Sequence, residues 1–155
     1  MPSTAQVPEE TQTLLVEEIV LFLSVHLGRN PGLMWLEHEP PDPGALEEFL
    51  PAALAHRLGR PISVLPHLTC NTRDSGTPDS GSARTAQDLL VCQLGGSDTW
   101  RIAPPAGAAL TLRLQAGEVL YAPADSVCTP RRSPRSRALL LALGNRRSER
   151  EEEIP

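Results

Sequence analysis

The sequence contains no lysine, only three cysteines, few aromatic residues and no apolar run long enough to cross a bilayer. All 14 basic residues are therefore arginines, a bias of the kind that a GC-rich coding sequence produces. Cys70, Cys92 and Cys128 form no CxxC pair and have no metal-finger spacing. An odd count excludes a fully paired disulfide framework and fits reduced thiols. Aromatics make up 3 % of the chain, namely Phe22, Trp35, Phe49, Trp100 and Tyr121, so aliphatic side chains must fill the core. A membrane span needs about 20 consecutive apolar residues, which the chain lacks. Residues Met1 to Glu10 lack the basic start of a signal peptide, and the expected location is cytoplasmic.

What is present is a chain of 155 residues, 40 % of them apolar. A chain of that length forms one domain that buries roughly two thirds of its unfolded surface. The net charge of -5 is unevenly spread: the acids dominate residues 1–50, where Arg29 is the one base, and arginines outweigh acids after residue 50. Arginines recur from Arg131 to Arg150, but Glu149, Glu151, Glu152 and Glu153 follow and no aromatics are interleaved. That run reads as solvated loop and tail, so nucleic acid is not an expected partner.

Two segments carry helix punctuation. Pro8 at an opening position, Glu9 and Glu10 at the positive end of the dipole and Gly28 beyond the last periodic residue predict a helix near residues 8–27. The β-branched and bulky content of Ile19 to Leu27 leaves a buried strand as the alternative there. Asp42 as N-cap, Pro43, Glu47, Glu48 and Gly59 predict a second helix, which Pro51 should kink or split. Between them Asn30-Pro31-Gly32 and Glu39-Pro40-Pro41-Asp42 read as turns with Trp35 packed between the helices.

After Arg60 the pattern changes to short β-type runs: Pro61–Thr69, Asp88–Leu94, Thr99–Ile102, Leu110–Leu114, Glu118–Ala122 and Arg137–Leu143. Gly95-Gly96 reads as a hairpin turn, and 71–87 as a mobile loop without hydrophobes in its first part. Helices followed by about six strands indicate an α+β fold with an antiparallel sheet closing as a sandwich or barrel.

The run Asp88-Leu-Leu-Val-Cys-Gln-Leu-Gly-Gly-Ser-Asp-Thr-Trp-Arg-Ile102 resembles the central strand pair of the JmjC-type cupin oxygenases, and Leu114-Gln-Ala-Gly-Glu-Val-Leu-Tyr-Ala-Pro123 resembles a second motif of that family. Gln93, Gly96, Trp100, Arg101, Gly117, Leu120, Tyr121 and Pro123 coincide together. The resemblance covers residues 43–144, the second helix included, and implies a small antiparallel cupin-like (double-stranded β-helix) barrel there; residues 1–42 read as an N-terminal helical segment before it and 145–155 as a disordered charged tail. The resemblance also implies Fe(II)- and 2-oxoglutarate-dependent hydroxylation, with two histidines and one carboxylate holding iron. Here this chain departs from the pattern. The first histidine falls on Ala83, the aspartate on Thr85, the second histidine at or near Cys128, and the lysine that grips 2-oxoglutarate on Asp98.

These departures lead to the expectation of a degenerate member with no catalytic residue, no metal site and no cofactor. It would act as a binding or accessory subunit with a protein partner, a second copy or an active relative, because after Ala138–Leu143 the sequence shows no additional helical domain of the kind that resembling proteins often carry, and a short barrel leaves an edge to be covered. Its candidate pocket comprises His67, Cys92, Tyr121 and Cys128, with Cys92 and Cys128 approaching each other inside the barrel. Polar and basic neighbours around Cys128 predict a lowered thiol pKa. The alternative is an oxygenase using Fe(II) and 2-oxoglutarate through a rearranged triad: His67, Cys128 and Asp74 or Asp79. A third class, a nucleic-acid accessory protein, would use Arg131 to Arg147. His26, His38 and His56 show no metal-ligand spacing and read as structural.

Overall fold

A computed structural model describes residues 9–37, 45–66 and 82–144. Helix α1 spans Glu9–His26 and begins with two glutamates, which complement the positive end of its dipole. Leu15, Val16, Ile19 and Leu23 recur at helical spacing and are all buried. The chain leaves the helix at Gly28, whose φ of 72° lies in the left-handed region that an L side chain rarely adopts. Ile19 to His26 thus belongs to a helix, and the strand alternative for that stretch is set aside. Helix α2 spans Ala45–Leu58, with Leu46, Leu50 and Leu54 one turn apart on its buried face. It runs through Pro51 as one undivided helix, so of the expected kink or split the split does not occur. The burial of Leu50 and Leu54 on either side of the proline holds the two halves to one surface.

Among the described residues nine strands accompany the helices: β1 Gly32–Trp35, β2 Ile62–Leu65, β3 Ala83–Arg84, β4 Asp88–Gly95, β5 Ser97–Ala103, β6 Leu110–Gln115, β7 Glu118–Ala122, β8 Val127–Arg131 and β9 Arg137–Leu143. They form a five-stranded sheet in the order β1-β7-β4-β9-β2 and a four-stranded sheet in the order β3-β8-β5-β6. All recorded pairings are antiparallel. From β2 onward the chain passes repeatedly between the two sheets, an arrangement that matches a cupin-like fold.

The period-2 alternation of the strands creates two cores. On β4, Leu90, Cys92 and Leu94 face the helices, and Leu89 and Val91 face the small sheet. Strand β9 divides likewise, with Leu139, Leu141 and Leu143 on the helical side and Leu140 on the other. The large sheet is therefore covered on both faces, and β4 reads as a continuous apolar run rather than an alternating one. Between the sheets Trp100, Ile102, Leu114, Leu120 and Cys128 complete the second cluster.

The sequence reading needs three corrections here. Gly32–Trp35 is a strand paired with β7, and Trp35 is 60 % exposed rather than packed between helices. Residues 83–84, expected within the loop, pair with β8. Strand β8 itself supplies pairing after Pro123 where one strand alone was anticipated. The β4–β5 turn holds Gly96 at φ 66°, as a tight hairpin turn requires. No helix among the described residues is long and apolar enough to cross a membrane.

Candidate functional site

Strands β3 and β8 bring the two expected ligand positions together. Ala83 pairs directly with Cys128, and both side chains are buried. Thr85, two residues on, lies on the same face as Ala83 but is occupied by the backbone. Its hydroxyl reaches the carbonyls of Pro123 at 3.4 Å and Ser126 at 3.3 Å. Its amide donates to Ser126 and its carbonyl accepts from Asp125, which adopts a φ of 67°. Thr85 therefore fixes the β7–β8 turn, where a short polar side chain such as Asp125 tolerates the left-handed backbone.

Cys128 does not have the environment expected of an activated thiol. It is fully buried in the cluster between the sheets, and burial pushes its pKa up to about 12. Cys92 is pushed up to about 12 for the same reason, but it faces the helices. The two cysteines thus occupy separate layers and do not approach each other. Tyr121 also lies on the helical side, so the structure does not assemble Cys92, Tyr121 and Cys128 into one pocket. His67, the fourth candidate, lies outside the described residues, as do Cys70, Asp74, Asp79 and the expected tail 145–155.

Asp98 sits at the other end of β5 with its side chain withdrawn from solvent. Arg132 Nε lies 2.8 Å from its Oδ2, the Ser133 amide donates to Oδ1 at 2.9 Å, and Gln93 Nε2 donates to Oδ2 at 3.1 Å. Burial opposes its charge, yet hydrogen bonds from Ser136, Ser133 and Gln93 together with the Arg132 guanidinium hold the carboxyl below its usual range. Where the resemblance places a lysine, this chain has an acid-base pair closed on itself. Gln93 Oε1 and Trp100 Nε1 beside it are buried with no partner among the described residues.

The open space lies at the Ala83 end. A pocket of about 290 Å³ is bounded by Leu65, Pro66, Ala83, Thr85, Leu89 and Ala142. Ala86, Gln87 and Asp88 separate it from a second hollow of about 380 Å³ lined by Gly28, Arg60 and Ala124. The dividing wall is tied down by a network that sequence reasoning missed. Arg60 pairs with Asp88 Oδ2 at 2.8 Å and donates to the carbonyls of Leu143 and Gly144. Asp88 Oδ1 accepts from the Ala124 amide at 2.8 Å and from the Tyr121 hydroxyl at 2.9 Å, and that hydroxyl accepts from the Gly28 amide. Burial pushes the Tyr121 pKa up, so the phenol remains a neutral donor. Gly59, which ends α2 at φ 63°, was legible as a helix stop and marks where Arg60 enters this network.

The described side chains at 83, 85 and 128 do not fit an iron triad. Alanine has no donor atom, the threonine hydroxyl serves the backbone, and a thiol with a pKa near 12 stays protonated, whereas a metal ligand must shed its proton. No group of three or more His, Cys, Asp or Glu converges among the described residues.

No family profile matches the chain, and no curated protein does. Among solved structures it is similar to YcfD, a ribosomal oxygenase from Escherichia coli in complex with cobalt and 2-oxoglutarate, at 15 % identity and a TM-score of 0.47, over 86 % of this chain and 54 % of that one. An acireductone dioxygenase from Bacillus anthracis with cadmium in its active centre aligns at 13 % identity and a TM-score of 0.45 over 83 % of both chains. Streptomyces albus HEPD, with 2-hydroxyethylphosphonate and Fe(II) bound, aligns at 18 % identity and a TM-score of 0.37 over 46 % of this chain and 17 % of that one. The chain thus spans about half the length of YcfD and less of HEPD. The expectation of a chain without cofactor is corrected by these neighbours. Each holds a metal, one with 2-oxoglutarate, so the likeness gives no ground for a cofactor-free protein.

Proposed function

We propose that this chain is a cupin-like binding module that takes a small molecule or a peptide end at the pocket beside Ala83, Thr85 and Leu89. It would serve as a regulatory or accessory subunit of a larger assembly. The observation that carries this reading is the register pairing of Ala83 with Cys128, both buried. The two adjacent positions expected to bear histidines present a methyl group and a protonated thiol. Behind them Val91, Trp100, Ile102 and Leu114 fill the space between the sheets. The pocket is mostly apolar, with polar groups from Arg84, Thr85, Gln87 and Asp88 at its wall, a composition that suits holding a ligand.

The second reading is an Fe(II)- and 2-oxoglutarate-dependent oxygenase with a non-standard metal site, drawing on His67, Cys128 and Asp74 or Asp79. The observation favouring it is that Pro66, the residue before His67, and Ala83 line the same pocket. Incubating the purified chain with Fe(II), 2-oxoglutarate and air separates the two readings. Binding alone predicts no succinate above a protein-free blank. Succinate released in proportion to protein, and abolished in His67→Ala, would install the oxygenase reading in its place. Metal content of the protein as purified, measured alongside, settles the cofactor.

A further inference from the structure

The outer face of the small sheet, away from both cores, is built from arginines and hydroxyls. On β5, Thr99 and Arg101 alternate with the buried Asp98, Trp100 and Ile102 and so point outward. Arg113 and Thr111 do the same on β6, Arg131 and Thr129 on β8, and Arg84 on β3. The register places Thr99 between Arg113 and Arg131, and Arg101 between Thr111 and Thr129. Arg101 is therefore a diagonal neighbour of both Arg113 and Arg131, at about 7–8 Å between backbones. None of these four arginines forms an ion pair among the described residues, although Arg57, Arg60 and Arg132 each do. Arg113 donates to Ser97 Oγ, and Ser82 and Thr129 share a hydrogen bond. Of the acids nearby among the described residues, Asp98 on β5 is buried and paired with Arg132, and Asp125 stands in the turn before β8.

We propose that this face binds single-stranded nucleic acid through its phosphodiester backbone. Four guanidinium groups on one surface, with no ion pair among the described residues, repel one another and gain from an anion that spans them. The hydroxyls between them supply further hydrogen bonds to phosphate oxygens. An acidic protein partner fits less well, because protein interfaces are anchored by buried aromatic or aliphatic groups, and this face has no aromatic side chain. Proteins that read duplex DNA with a sheet drive apolar wedges between base steps, and the arginines and threonines of this face supply none. The absence of an aromatic platform also excludes base stacking, so binding would be indifferent to sequence and steep in salt. The glutamates of α1 and α2 belong to the helical layer, beyond the large sheet, so a chain of net charge -5 still meets a polyanion with this side foremost. Nucleic acid was set aside on the linear run Arg131 to Arg150. The face shares only Arg131 with that run and is assembled from four separate strands, and Arg84 at its β3 edge also lines the pocket beside Ala83.

The test is fluorescence anisotropy of the full chain with a labelled 20-nucleotide oligo-dT at 50 and 200 mM salt. Four phosphate contacts predict that the affinity falls about fifty-fold across that range. In the double variant R101Q/R131Q, which changes only exposed side chains, the fall should shrink to about sevenfold. R29Q, an exposed arginine in the turn after α1, should behave as the parent. The proposal is overturned by absence of binding at 50 mM salt, by an unaltered salt slope in R101Q/R131Q at unchanged melting temperature, or by equal competition from a poly-glutamate peptide.

Discussion

Asp98 shows how one side chain can close a position to the chemistry that a related pattern would place there. Its carboxylate is buried, bonded by Gln93 and Ser133, and faced by Arg132. Replacing it by asparagine keeps the shape but removes the charge-assisted bonds, and Asp98→Asn should lower stability by about 2 kcal/mol at pH 7. The pH dependence follows from the direction of the shift. Because folding holds this carboxyl below its ordinary value of 3.8, the stabilisation is whole above about that pH and drains away as acid protonates it. Urea unfolding at pH 7 and pH 3 checks both statements: the gap between parent and variant should narrow at pH 3. A gap of the same size at both pH values would mean that the ion pair contributes through shape alone. At this scale the sequence was a partial guide. The resemblance put ligand positions on Ala83 and at or near Cys128, and the register makes these two residues direct partners. The thiol's environment was misread because nearby Ser126, Thr129 and Arg131 are polar in sequence, whereas alternation turns Cys128 inward, away from Thr129 and Arg131. The tie among Arg60, Asp88 and Tyr121 joins residues far apart in the chain, and no local pattern announces it.

At the scale of the element, legibility followed length and punctuation. Both helices were readable because their acids, apolar spacing and terminal glycines agree with one another. Strand β3 has two residues, too few to carry a period, and exists because β8 lies beside it. Strand β8 contains Pro130, which argues against a strand, yet β5 pairs along its whole length. Asn30-Pro31-Gly32 reads as a turn from its proline and glycine, and nothing local marks the three residues after it as a strand; pairing with β7 makes Gly32–Trp35 one. The helices derive their stability from the sheet beneath them. Leu50, fully buried at the centre of α2, packs in the same cluster as Leu90 and Leu141. Leu50→Ala should cost about 3 kcal/mol by thermal or urea unfolding, the usual loss for a large side chain that leaves a cavity. Trp35→Ser, at a residue 60 % exposed, should change stability by less than about 0.5 kcal/mol in the same measurement.

Across the whole molecule the order of layers is helices, large sheet, small sheet, and the middle layer is buried on both sides. Stability should be graded accordingly. In native-state hydrogen exchange the amides of β4, flanked by β7 and β9 and covered above and below, should be the last to exchange, with those of β1 and β3 among the first. Uniform protection across all nine strands would contradict that grading. The middle layer also accounts for why the fold class was legible while the layering was not. A doubly covered strand such as β4 loses its alternation in sequence, and an apolar run does not say what lies on either side of it.

The two outermost strands of the large sheet, β1 and β2, are its shortest, at four residues each. Pro31 precedes the first, and Pro61 and Pro66 bracket the second. A proline has no amide to lend to an incoming chain, so each margin offers a template too brief and too blunt for runaway stacking. A protein with so aliphatic a middle layer is thereby guarded against fibril growth at the two margins of that layer.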